Sequence, residues 1–142
     1  LYITNDQART ALYQERAFTA AFTAARRMDI IICGLGTRQS INSIPAWAEN
    51  TDRIFPGVDL GKIAGVAFGR PYDLHGQFLV SPENDKTLSI PLDQIMRVPR
   101  RLAIVQRKSK FQAARGALEG KLFTDMILTE SVALRITDAL GI

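Results

Sequence analysis

The feature that most constrains the fold is a strand–helix–strand–helix succession at the end of the chain. "RLAIV" (101–105) is a short apolar run, and 108–119 carries apolar residues at helical spacing up to Gly120. "DMILT" (125–129) is a second apolar run, and 130–140 reads as a helix with Thr129 at its N-cap. Two strands joined through a helix predict parallel neighbours with a right-handed crossover. "DIIIC" (29–33), closed by Gly34, supplies a further strand; an unbroken apolar run of this length predicts burial on both faces, as in parallel sheets.

The remaining segments decorate that sheet. Residues 6–28 contain neither Gly nor Pro and are rich in Ala, Arg, Gln and Glu, which predicts one or two helices. Phe18, Ala21, Phe22 and Ala25 recur at the spacing of one buried face, and Arg26 and Arg27 fall at the helix end, where cations suit the dipole. "SIPAWAEN" is compatible with a short helix started by Ser43, with Pro45 in its first turn. "IAGVAFG" and "YDLHGQFLV", separated by Arg70 and Pro71, predict a β excursion turning at "DLHG", where Gly76 supplies a positive φ. Pro91 in "PLDQIMR" opens another short helix. The expected fold is α/β: one domain with a mostly parallel sheet flanked by helices and a β-hairpin excursion. Its 142 residues suffice for a core without staples.

Charge narrows the function classes. The net charge of +4 is modest, and Lys and Arg are spread along the chain except at 97–110, which argues against a dedicated nucleic-acid surface and for a local anion site. A single cysteine, Cys33, in an apolar setting predicts a buried thiol in a reducing compartment, most simply the cytoplasm. No stretch approaches the roughly 20 apolar residues of a membrane span, and the opening "LYITNDQ" lacks the regions of a signal peptide. A start at Leu1 is compatible with a piece of a longer protein.

In open parallel sheets ligands bind beyond the carboxyl ends of the strands. Three loops qualify. "GLGTRQS" offers Gly34 and Gly36 for close backbone approach and Thr37, Arg38 and Ser40 for polar contacts, yet it lacks the third glycine of a dinucleotide fingerprint and the ending of a phosphate loop, and a plain tight turn explains it equally. "QRKSK" places Arg107, Lys108 and Lys110 at the start of a helix, where each cation opposes the dipole by about 0.3–1 kcal/mol unless an anion docks on the free amides. A phosphate resolves that conflict, with Arg107 and Lys110 as its contacts and Lys108 in solvent; the alternative is a solvated basic turn. "LTES" needs only a structural account.

Catalysis has little support. His75, the one histidine, lies in the expected turn beside Asp73, itself a turn former, and no Cys/His cluster has metal-ligand spacing. Neither a metal nor an organic cofactor is expected. Trp47 can stack on a sugar ring, although a partly buried core aromatic is the commoner role.

Three segments, "MDIIICGLGT", "GKIAGVAFGRPYDLHGQFL" and "LDQIMRVPRRLAIVQRKSKFQAARGALEGKLFTDMILTESVALRIT", together resemble the sugar-binding effector domain of SorC-type transcriptional regulators, grouped with DeoR-like repressors. The resemblance runs in order from Asp29 onward. It implies a fold related to ribose-phosphate isomerase and glucosamine-phosphate deaminase, used as a sensor: a phosphorylated sugar binds and alters operator binding by an N-terminal helix-turn-helix in an oligomer. Gly34, Gly36 and Thr37 match the family's "GIGS" loop, Asp73 matches the acidic residue before the hairpin turn, and Lys110 matches the lysine after paired glycines. Those glycines are replaced here by Gln106 and Arg107, which narrows the backbone pocket and adds a side-chain donor. The segment between Thr37 and Gly57 is shorter than the family pattern.

The resulting expectation is a partial effector domain over 1–142, with effector-binding residues Gly34, Gly36, Thr37, Asp73, Arg107 and Lys110. The helix-turn-helix and the family's first phosphate loop would lie upstream, so DNA is a partner only through that absent part. Missing strands would leave an open edge or apolar face, which favours a homo-oligomer, dimer or tetramer. Two other readings stay open. A sugar-phosphate isomerase or deaminase would need a carboxylate where the "GLGT" loop has Arg38 and Gln39; an oligomerisation domain with a decayed pocket would explain Gln106 and Arg107.

Overall fold

The computed structural model describes residues 1–141. Three strands, β1 (Ile30–Gly34), β4 (Arg100–Val105) and β5 (Asp125–Leu128), form a parallel sheet in the order β1-β4-β5. A separate antiparallel hairpin joins β2 (Gly65–Ala67) to β3 (Arg70–Tyr72). The helices are α1 (Asp6–Gln14), α2 (Arg16–Ala25), α3 (Arg38–Asn42), α4 (Pro45–Ala48), α5 (Thr51–Ile54), α6 (Leu92–Met96), α7 (Phe111–Glu119) and α8 (Glu130–Leu140).

The two βα units lie where periodicity placed them. Ala113, Ala114 and Ala117 of α7 and Val132 and Ile136 of α8 bury against Ala103 and Val105 of β4, with Leu122, Phe123 and Tyr72 completing the core. Small alanines let α7 approach the sheet and the hairpin closely. A second cluster of Ile41, Ile54 and Phe55, with Tyr2 and Trp47 packed on it, anchors the short helices α3 to α5.

Three expectations need correction. The β1 strand is covered on one face only: Ile32 is 60 % exposed, and Ile30, Ile104 and Ile127 open onto the same bare side. No element among the described residues lies across that face. The predicted apolar face of α2 is not buried either, since α2 has no buried residue; Phe22 packs on Tyr13, with ring centroids 4.9 Å apart, and Phe18 stacks on Phe22 at 6.4 Å. Finally, Arg70 and Pro71 do not interrupt the β excursion. They lie within β3, and the chain reverses at Phe68 and Gly69, both at positive φ (55° and 77°), in a two-residue hairpin turn. Gly76 does take a positive φ, 73°, in the next turn.

Candidate functional site

The carboxyl ends of β1 and β4 carry two loops that face each other. After β1, Leu35 is buried and Gly36 forms an isolated antiparallel bridge to Val66, its amide donating to the Val66 carbonyl at 2.9 Å. A Cβ on Gly36 would stand 3.3 Å from Val66 Cβ, so the glycine permits this close approach. Thr37 then caps α3: its amide donates to Ser40 Oγ at 3.0 Å and its carbonyl accepts from the Ser40 amide at 2.9 Å. The amides of Gly36 and Thr37 are thus spent on the loop itself, and what remains toward solvent is the hydroxyls and the side chains of Arg38 and Gln39.

After β4, Lys108–Lys110 forms a single 3-10 turn, with extended Arg107 before it, and leads into α7. Arg107, Lys108 and Ser109 are exposed, whereas Lys110 is half-buried. Nζ of Lys110 reaches across and donates to the Leu35 carbonyl at 2.5 Å, tying the two loops together. Thr129, ahead of α8, braces the same region by donating to the Gln106 carbonyl at 3.2 Å.

Between the loops lies a cavity of about 220 Å³ lined by Thr37, Gln39, Ser40, Ser43, Arg107, Ser109 and Lys110. The lining combines two cations with hydroxyls and an amide, and contains neither a carboxylate nor a histidine. Such a set attracts and hydrogen-bonds an anion. Beside it, sharing Ser40, is a second cavity of about 240 Å³, lined by Gly34, Gly36, Cys33, Trp47, Tyr2 and Phe68 among others and mostly apolar. Burial pushes the Cys33 thiol above its ordinary pKa, which keeps it protonated.

Of the six residues singled out from sequence, Thr37, Arg107 and Lys110 line the first cavity and Gly34 and Gly36 the second. Asp73 lines neither. Its carboxylate is spent on its own turn, accepting from the His75 and Gln77 amides at 2.9 Å each, and its carbonyl lies against Gly116, far along α7 from the basic loop. Ser40 is a polar candidate of its own loop in the sequence, whereas Ser43 and Ser109 carry no local signal of a ligand role. Their role emerges only when the two loops are juxtaposed.

A larger cleft, about 880 Å³, opens between α1, the hairpin and α6. Its cations are already matched: Arg70 with Asp85 at 2.6 Å and Arg9 with Asp6 at 2.8 Å. The chemistry therefore favours the smaller, unneutralised mouth. Among the described residues no group of His, Cys, Asp and Glu is placed to hold a metal ion, and no helix is long and apolar enough to cross a membrane.

Fold and site together define an α/β domain with a cationic mouth at the carboxyl end of its parallel sheet. The chain belongs to the family described as "Putative sugar-binding domain", which it matches over residues 1–137. Over 75 residues it is 35 % identical to an uncharacterized transcriptional regulator of Escherichia coli, YjhU, covering 53 % of this chain and 23 % of that protein. Its fold is shared with the full-length sorbitol operon regulator SorC from Klebsiella pneumoniae (TM-score 0.73, 19 % identity, 95 % of this chain and 44 % of that one). It is shared also with a DeoR family transcriptional regulator from Listeria monocytogenes (TM-score 0.75, 16 % identity, 95 % and 55 %). The resemblance to SorC-type regulators and the α/β architecture expected from sequence are both borne out. The chain spans about half the length of these solved structures and about a quarter of the curated relative.

Proposed function

We propose that this chain is the effector-sensing part of a sugar-responsive transcriptional regulator of the cytoplasm, and that its ligand is a phosphorylated sugar. One observation carries the reading: Thr37, Arg107 and Lys110, from loops seventy residues apart in sequence, line one polar cavity at the carboxyl end of a parallel sheet. The phosphate sits in that cavity against Arg107 and Lys110, with Thr37 as a hydroxyl partner, and the sugar extends over Gly34 and Gly36. Asp73 has no part in it. DNA binding belongs to a helix-turn-helix outside the 142 residues, and the ligand acts by favouring one arrangement of effector domains over another, within a homo-oligomer. The absence of a carboxylate or histidine from the cavity lining supports a sensor over an isomerase or deaminase, which must move a proton.

Isothermal titration against a panel of sugar phosphates tests this. The complete protein that contains this chain binds at least one of them, and Lys110→Ala in it weakens binding about 10- to 100-fold, the range for a lost hydrogen bond to a charged group. Equal affinity in the variant removes Lys110 from the site, and turnover of any panel member reinstates the enzyme.

A further inference from the structure

We infer that Trp47 is a specificity-determining platform for the sugar part of that ligand, contacting one ring or carbon-chain face beside its phosphate. The inference rests on the proposed phosphate site and adds to it the neighbouring cavity. That cavity, of about 240 Å³, shares Ser40 with the phosphate mouth and is walled largely by carbon, with Trp47, Tyr2 and Phe68 as its aromatic members. Its size suits one sugar unit, and an aromatic wall suits the C–H face of a sugar, since the π face is negative and such hydrogens carry partial positive charge.

Trp47 is held as a platform must be. Tyr2 meets it edge-on, with centroids 5.1 Å apart and planes at 83°, and meets Phe55 in the same way at 5.3 Å. Tyr2 is fixed in turn by its hydroxyl, which donates to the Gly69 carbonyl at 2.7 Å. Thr51 Oγ1 donates to the Trp47 carbonyl at 2.8 Å, anchoring the backbone of α4 as well. Trp47 nevertheless remains only half-buried, with part of its surface facing the cavity. A side chain held in this way binds without a large ordering cost.

Trp47 is the sole tryptophan of the chain, so tryptophan emission reports on its immediate surroundings, this cavity included. The probes are inorganic phosphate, ribose 5-phosphate, fructose 6-phosphate and glucose 6-phosphate, titrated into the unmodified chain, Trp47→Leu, Trp47→Phe and Lys110→Ala, with thermal melts to verify folding. At least one sugar phosphate is expected to change Trp47 emission saturably and to bind about tenfold tighter than inorganic phosphate, a factor that corresponds to 1.4 kcal/mol. Inorganic phosphate competes without changing the emission. Trp47→Leu removes the tenfold advantage and leaves phosphate affinity unchanged, Trp47→Phe retains most of the advantage, and Lys110→Ala weakens both kinds of ligand. Sugar phosphates that bind no tighter than phosphate and leave the emission unchanged overturn the platform while the anion site stands. Failure of phosphate and all three sugar phosphates to bind overturns the anion site and the platform with it. Should Trp47→Leu not fold, the emission of the unmodified chain decides between these outcomes.

Discussion

Tyr72 is wholly buried, and its hydroxyl donates to the Ala113 carbonyl of α7 at 2.8 Å. Burial drives its phenol far above the ordinary tyrosine range, so it stays a neutral donor under all ordinary conditions. Gly65 lies against that ring: a Cβ there would collide with the Tyr72 hydroxyl oxygen and stand 2.8 Å from Ala113 Cβ. Gly65→Ala therefore forces either α7 or the ring to move, at a cost of about 1–3 kcal/mol, visible as a lowered midpoint in urea unfolding. A second prediction concerns pH. His75 Nδ1 faces Glu119 Oε1 on the surface, and the hydrogen bond and charge of Glu119 raise the imidazole pKa above its usual 6.5. A raised folded pKa means a contribution fully present below the ordinary histidine value and lost as pH rises through the raised one. Stability should fall slightly across that window in the parent and stay flat in Glu119→Gln; both groups are solvent-exposed, so the effect is small. A flat parent profile would remove the pair from the pH response.

Among elements, the β2–β3 hairpin is tied down by one buried cation. Arg70, only 3 % exposed, donates from Nε to Asp85 Oδ2 at 2.6 Å and from Nη1 and Nη2 to the Phe68 and Ile90 carbonyls. This pins the hairpin to the segment leading into α6. Asp85→Ala leaves a buried guanidinium without its counter-charge and should cost about 3–5 kcal/mol, whereas pairing Arg70→Met with Asp85→Leu should recover much of that loss in the same melts. Sequence did not show the hairpin turn, because Phe68 is an unusual residue at positive φ; its ring packs at 5.1 Å from Phe123, a contact no local pattern reveals. By contrast β1, β4, β5, α7 and α8 were legible, since each carries its own apolar period and the crossover rule fixes how they join. The basic mouth was legible for a similar reason, being a local conflict between charge and helix dipole. The link from Lys110 to Leu35 was not, since it spans 75 residues, and neither was the distance of Asp73 from that mouth, because a turn former and a ligand contact look alike in one dimension.

For the whole molecule, the bare side of the sheet dominates. Ile32 and Ile127, 60 % and 56 % exposed, lie with Ile30 and Ile104 on a face that parallel sheets ordinarily cover. The proposed self-association is tested there: sedimentation velocity of the parent should show mass increasing with concentration, and Ile32→Lys combined with Ile127→Lys should shift the distribution toward monomer. An unchanged distribution assigns oligomerisation to another surface. At the carboxyl end of the same sheet stands the strut between the two βα loops. An ammonium has three protons to give, and the carbonyl of Leu35 already holds one of them. An incoming phosphate can therefore recruit two without slackening the backbone, and only by taking the third does it set the β1 loop free of its neighbour.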